Sequence, residues 1–305
     1  MFELFLPVGN AEVWWPGLVF LGFLIGMITG FFGIGGGFLL TPALKICFNV
    51  SYPVAIGSSL LQISLTSLFS AYKYWQQKSL DTKMGVVTAI AALIGTECGV
   101  RILKKISMTS TVIVAGYELP FTDLVINSCF FVLMVLTAAF MYREASQGDR
   151  GESEEPNTKI GEFIRSCPLP PFLSFKQSKI SELSLWVPTT LSFFVGCLTG
   201  LLGIGGGFVG LPLMIYLLGM PTRIAVGTST IQVLLASCYG MFRHMQQGHV
   251  DILLVAFMLL GSIAGVNTGV KIAKKVDARD TRKYFAALLL LGILLIIYDM
   301  LYRFV

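Results

Sequence analysis

Charge is what this sequence has least of. Asp, Glu, Lys and Arg make up only 13% of its 305 residues, about half the share of roughly 25% in water-soluble domains. A soluble surface cannot be covered with so few, so a soluble enzyme is excluded. A disordered chain, which needs high charge and low hydrophobicity, is excluded too. Cysteine is sparse and unpatterned: Cys47, Cys98, Cys129, Cys167, Cys197 and Cys238 contain no CxxC pair. That rules out a disulfide-stapled secreted domain, and five of the six lie in apolar segments, where a thiol serves as a small packing residue. No His/Cys/Asp cluster has metal-ligand spacing, and no nucleophile–base pair is legible, so neither cofactor, metal nor enzyme chemistry is expected. Basic runs with interleaved aromatics are missing, which excludes nucleic acid as a partner. No Lys or Arg precedes Lys45. Without a basic n-region a cleaved signal peptide is not expected, and the first apolar segment should stay in the membrane.

What is present is apolar length. Hydrophobic residues make up 55% of the chain and mean hydropathy is +0.77. Ten apolar stretches fill most of it, at roughly 15–33, 37–50, 54–74, 84–103 and 120–142, then 186–203, 207–219, 224–243, 250–272 and 284–302. A spanning helix needs about 20 such residues. The expected fold is an all-α polytopic membrane protein, multi-pass in the plasma (inner) membrane, with the lipid bilayer as its first partner.

The stretches come in two sets of five. Gly26-Met-Ile-Thr-Gly-Phe-Phe-Gly-Ile-Gly-Gly-Gly-Phe38 returns 170 residues later as Gly196-Cys-Leu-Thr-Gly-Leu-Leu-Gly-Ile-Gly-Gly-Gly-Phe208. In the same ungapped register Pro42 matches Pro212, Ala55–Ser59 matches Ala225–Ser229, Gln62 matches Gln232, and Asp81 matches Asp251. Two unrelated apolar sequences would not keep glycines, glutamines and charges aligned, so the halves read as copies of one unit. The expected organisation is a first transmembrane repeat at 1–142, a polar cytoplasmic linker at 143–184, and a second repeat at 185–305. Charge orients them. If all five segments of a half cross, the halves are inverted and 16 Lys and Arg lie inside against 6 outside, with both termini outside. If the short second segment of each half re-enters, the halves are parallel and the tally is 11 against 11. The positive-inside bias selects the inverted arrangement.

Two motifs stand out in each half. The glycine run Gly35-Gly36-Gly37, repeated as Gly205-Gly206-Gly207, marks a helix break, since each glycine weakens a helix interior by about 1 kcal/mol relative to alanine. It is neither a dinucleotide fingerprint, because Phe38 stands where a third glycine belongs, nor a P-loop, because no Lys-Ser/Thr follows. Either the glycines let helices pack closely, or the break frees backbone N–H groups toward a buried ligand. The second motif is Ser58-Ser59-Leu-Leu-Gln62, repeated as Thr228-Ser229-Thr-Ile-Gln232. These side chains would donate to an anion at a helix start or bridge neighbouring helices. Glu97 is an ionisable residue within a span, replaced by Asn267 in the second copy. It is either a proton-coupling group or the partner of Arg101, four residues on. Asp123 is expected to be solvated, and His244 and His249 interfacial.

At these motifs the chain resembles the sulfite exporter family TauE/SafE, also known as the toluene-sulfonate uptake permeases. The paired signature GxxGIGGGxxxxP at Gly30–Pro42 and Gly200–Pro212, each followed by A(V/I)G(T/S)S, carries the resemblance through both halves. Ser58 departs from the usual threonine but keeps the hydroxyl, and the 143–184 stretch is longer than usual. The resemblance implies a secondary transporter of small sulfur-containing anions, typically sulfite, thiosulfate or organosulfonates. The expected site joins the N–H groups of Gly35–Gly37 and Gly205–Gly207 to Ser58, Ser59, Gln62, Thr228, Ser229 and Gln232. An anion channel and a non-transporting membrane scaffold are the alternatives.

Overall fold

A computed structural model describes residues 3–9, 11–108, 111–114, 117–147 and 159–302. The termini and residues 148–158 of the linker stretch lie outside the described residues. A hairpin, β1 (Glu3–Leu6) and β2 (Ala11–Trp14), leads into α1 (Trp15–Phe32), α2 (Gly37–Phe48), α3 (Tyr52–Gln76) and α4 (Thr82–Ser107). A second hairpin, β3 (Thr111–Val114) and β4 (Tyr117–Pro120), precedes α5 (Phe121–Gln147). The stretch assigned to the linker holds the end of α5, a short α6 (Lys159–Arg165) and a third hairpin, β5 (Phe172–Phe175) and β6 (Ile180–Ser184). The second half then repeats the order with α7 (Trp186–Leu202), α8 (Gly207–Pro212, continued by a π turn to Leu217), α9 (Thr222–Met245), α10 (Ile252–Ala273) and α11 (Ala278–Tyr302). Six of these helices are long and apolar enough to cross a membrane, and four shorter apolar helices complete the set. The chain is an all-α multi-pass membrane protein.

Local sequence explains the ends of these helices. Pro16 and Pro53 sit in the first turns of α1 and α3, where the missing N–H would have had no partner. Gly33 and Gly203 close α1 and α7 in the left-handed conformation, their N–H groups returning to the carbonyls of Thr29 and Thr199. Asp81 and Asp251 cap α4 and α10, each carboxylate accepting from the backbone three residues ahead.

The halves interlock. α1 packs on α10 of the other half, and α4 on α7. At Gly26 an added Cβ would stand 2.7 Å from Ser262 Cα, and at Gly30 it would stand 2.9 Å from Val266 Cα. Residue numbers rise together along this seam, so α1 and α10 run parallel. Gly196 and Gly200 bring α7 equally close to Ala92 and Thr96 of α4. Small residues at every fourth position let these backbones touch without a ridge of side chains between them. α3 and α9 form the centre and run antiparallel. The start of α3 meets the end of α9 where Ser58 Oγ accepts from the Asp251 N–H (2.9 Å), and the start of α9 meets the end of α3 where Thr228 Oγ1 accepts from the Asp81 N–H (2.9 Å). α2, at 12 residues, is about 18 Å long, and turns back so that its last residue, Phe48, lies against Gly17 near the start of α1. Phe20, Ile90, Ile94, Phe194 and Leu260 point outward from the long helices, as a lipid-facing surface requires.

The same two aspartates anchor the hairpins. Asp251 Oδ2 accepts from the N–H groups of Val8 (3.0 Å) and Gly9 (3.1 Å) at the β1–β2 turn. Asp81 Oδ2 accepts from Ser178 N (3.1 Å) and Ser178 Oγ (2.7 Å) at the β5–β6 turn. Both carboxylates are buried. Asp81→Ala and Asp251→Ala should each destabilise the protein by roughly 2–3 kcal/mol, since a cap and charge-assisted bonds disappear together. Thermal unfolding in detergent reads this as a clear fall in Tm in both variants, and an unchanged Tm would show that the hairpins dock without them.

Asp123 corrects an expectation. It is 7% exposed rather than solvated, because Lys45 of α2 reaches it at 3.3 Å, and beside it Tyr52 donates to Asn127. His244 is fully buried within the protein.

Candidate functional site

The two glycine runs meet at the centre of the protein. Gly35 and Gly36 have φ of 78° and 66°, and Gly205 and Gly206 have 69° and 75°. Consecutive left-handed residues suit only glycine without strain. Each run then delivers the start of a short helix, Gly37 for α2 and Gly207 for α8. The runs abut directly: a Cβ on Gly37 would stand 2.7 Å from the Gly203 carbonyl oxygen, and one on Gly207 would overlap the Ile34 backbone. Phe38 and Phe208 stack beside them with ring centroids 5.2 Å apart. Ile63 of α3 and Val233 of α9 flank Gly35 and Gly205.

Burial leaves this backbone with an unmet demand. Gly35, Gly36, Gly37, Gly205, Gly206 and Gly207 are all buried, and among the described residues their N–H groups make no hydrogen bond. More than nine in ten buried N–H groups in proteins are paired, with protein or with water. Donors at two facing helix starts lie where the backbone dipoles concentrate positive potential, an arrangement that can meet an anion without a lysine.

The side chains of the second motif divide. Ser58 and Thr228 accept the Asp251 and Asp81 N–H groups described above. Ser59 Oγ lies 3.2 Å from the Gly203 carbonyl and 3.0 Å from Thr41 Oγ1. Ser229 Oγ lies 3.0 Å from the Gly33 carbonyl. All four hydroxyls bridge separate elements, and Ser59 and Ser229 also tie down the glycines at which the two breaks begin. The glutamines are different. Gln62 Nε2 donates to Ser262 Oγ, while Gln62 Oε1 and Gln232 Nε2 are buried without a partner. Gln232 lies against Gly210 in the first turns of α8. Two hydroxyls that sequence reasoning missed complete the set: Ser67 and Ser237 are fully buried and unpartnered, and Ser237 faces Gly205. They occupy matching positions in the 170-residue register, which was the signal that could have found them.

Glu97 is not brought to this centre. Its carboxylate accepts from Arg101 Nε (2.7 Å), Arg243 Nε (2.8 Å) and the Tyr239 hydroxyl (2.9 Å). The helix neighbour was legible; the two partners on α9 were not. A carboxylate held by two guanidinium groups and a phenol suits an ion-paired clasp between α4 and α9 better than a proton carrier. Among the described residues no group of three or more His, Cys, Asp or Glu side chains could hold a metal ion.

A comparison with known families matches residues 18–296 to the model described as "Sulfite exporter TauE/SafE". Among curated proteins, the chain is 29% identical over 269 residues to "Probable membrane transporter protein YunE" of Bacillus subtilis (strain 168), covering 86% of this chain and 89% of that protein. It is 26% identical over 275 residues to "Probable membrane transporter protein YjnA" of the same organism, covering 90% and 96%. A probable membrane transporter protein of Methanocaldococcus jannaschii is 23% identical over 288 residues, covering 90% and 92%. No solved structure matches the chain.

Proposed function

This chain belongs to the sulfite exporter TauE/SafE family and is a membrane transporter; from that premise we propose that it carries small sulfur-containing anions, sulfite, thiosulfate or organosulfonates, by alternating access driven by a second ion such as a proton. The observation that carries this reading is the set of six buried N–H groups, unpaired among the described residues, where α2 and α8 begin. An oxyanion seated beside the abutting breaks would be met by backbone donors, by the Gln62 and Gln232 amides, and by the Ser67 and Ser237 hydroxyls. Ser58, Ser59, Thr228 and Ser229 would shape that cradle as positioning residues. The centre is closed by Phe38, Phe208, Ile63 and Val233, which favours a carrier over a continuously open channel. Release would require the two halves to rock apart along the α3–α9 axis.

The reading tests directly. Purified protein in proteoliposomes is offered labelled sulfite, thiosulfate, taurine and sulfoacetate, each with and without an imposed pH gradient. Saturable uptake of at least one sulfur anion above protein-free vesicles supports the proposal, and enhancement by the gradient identifies the proton as driver. Uptake of none would overturn it.

We also propose the five-plus-five inverted topology in the plasma membrane, with the ends of α3 and α10 on the cytoplasmic side. The antiparallel run of α3 and α9 and the return of α2 toward the start of α1 support it. In a cysteine-free background, Lys78→Cys should be shielded from an impermeant thiol reagent applied outside cells, whereas Met108→Cys should react. The reverse pattern would contradict the inverted arrangement.

A further inference from the structure

The duplication supplies an internal control for the two ends of the molecule. At one end, Arg243 of α9 and Arg101 of α4 converge on Glu97, and Arg243 also donates to Gln246 Oε1 at 2.6 Å. At the other end the matching positions are Lys73 of α3, Lys271 of α10, Asn267 and Gln76. The cations are retained and the carboxylate is gone. Asn267 cannot draw two cations together, and it spends its amide on the Ile263 carbonyl of its own helix (3.0 Å). In place of a clasp there is a cavity of about 350 Å³ lined by Lys73, Gln76, Gln77, Asn267, Val270, Lys271 and Lys274.

That cavity does not stand alone. A second, of about 300 Å³, shares Gln77 and Lys274 with it and adds Lys179 and Arg223, with Asp277 as the one acidic side chain among the described residues. Its inner wall includes Tyr74, Thr222 and Val226. Thr222 is 3% exposed and its hydroxyl has no partner. Tyr74 donates to the Gly30 carbonyl (2.9 Å), and the Val226 carbonyl packs on Gly33. Two residues of the inner wall therefore touch the last turn of α1 and the glycine that closes it. Among the described residues, five cations, of which Lys179 is engaged elsewhere, and one carboxylate line a recess that leads to the place where α1 stops.

We propose that this recess is an anion-capture vestibule: it concentrates small oxyanions at one end of the protein and delivers them toward the glycine breaks, while Glu97 keeps the matching end clasped. This deepens the transport reading and rests on it. A concave site lined by charge of one sign focuses the potential and raises local anion concentration, by about tenfold to a thousandfold in on-rate for such clefts. The replacement of a carboxylate by Asn267 leaves Lys73 and Lys271 without the partner that Glu97 gives Arg243 and Arg101. The specificity expected at this point is for charge and size alone, because flexible ammonium groups act as point charges rather than as shaped donors.

Direct binding tests it apart from flux. Labelled thiosulfate is titrated against purified wild-type protein in nanodiscs of phosphatidylcholine, and against Lys73→Gln/Lys271→Gln, Asn267→Glu and, as a control at the clasped end, Lys104→Gln. The double variant and Asn267→Glu should each weaken thiosulfate binding at least about tenfold, with Lys104→Gln within about twofold of wild type, and added salt should erode wild-type affinity most. Size-exclusion profiles confirm that the variants are folded. Wild-type-like binding in both vestibule variants would overturn the proposal. So would a second result in discs doped with phosphatidylglycerol: lysine-dependent retention of that lipid that thiosulfate fails to displace would assign the recess to a lipid headgroup. Flux of a sulfur anion with unchanged binding in the variants sinks the vestibule and spares the transporter. No flux of any anion, with lysine-dependent binding intact, sinks the transporter and spares the anion site.

Discussion

Gly207→Ala is expected to abolish transport and to lower the melting temperature sharply. The new Cβ would overlap the Ile34 backbone of the opposite break, and backbone cannot rotate aside as a side chain can. Overpacking in a tight core typically costs about 1–3 kcal/mol, occasionally more, and here the strain falls on the contact that brings the two helix starts together. Gly37→Ala should behave alike, because its Cβ would press on Gly203 and Ile204. Gly248→Ala is the control. Unlike Gly37 and Gly207, Gly248 has a positive φ, of 72°, but nothing lies within 4 Å of its would-be Cβ, so left-handed strain of about 1–2 kcal/mol applies there without any clash. Near-normal transport by Gly207→Ala would show that the breaks need not touch.

Gln232→Ala and Gln62→Ala are expected to part company. Gln232 Nε2 is buried and unpartnered beside the first turns of α8. If it donates to the anion, its loss should weaken apparent affinity by about tenfold to a hundredfold, the equivalent of roughly 1.5–3 kcal/mol for a hydrogen bond to a charged group. Stability should barely change, since no protein partner is lost. Gln62 already donates to Ser262 on α10, so its removal strips a bridge between halves and should lower Tm, with a smaller effect on affinity. Binding isotherms and thermal melts on both variants separate these outcomes. A fall in stability with unchanged affinity in both would remove the glutamines from the anion site.

Much of the architecture was legible because membrane sequences have few ways to be wrong. Apolar length gave the ten segments, and repeated glycines placed the breaks in pairs. The aspartates that cap α4 and α10 stand just before their helices and share one register, so capping was within reach. Their second role was not: nothing in the sequence says that Asp251 grips the turn at Val8 and Gly9, because that contact spans 243 and 242 residues. The same limit hid Arg243 and Tyr239 from Glu97, and Lys45 from Asp123. Helical periodicity shows which face of α1 is small, but it does not say that the partner is α10 of the other half. At the candidate site the glycines and glutamines were legible by type and duplication. Which hydroxyls would be consumed by the protein was not, since a serine that bridges two backbones and one that faces a ligand look identical in a sequence. Ser67 and Ser237 lie about one turn beyond the motif in the shared register, where an isolated serine in an apolar helix carries no signal of its own.

The central claim is a carrier that closes around one anion and opens to each side in turn. Counterflow measures it most directly. Proteoliposomes are loaded with unlabelled sulfite or thiosulfate and diluted into a trace of the labelled anion, with no net gradient of any other ion. The account predicts transient accumulation of label above its equilibrium level, driven by exchange through a site that faces one side at a time, and loss of that overshoot in Gln232→Ala. Equilibration without overshoot, at a rate indifferent to the internal anion, would contradict it.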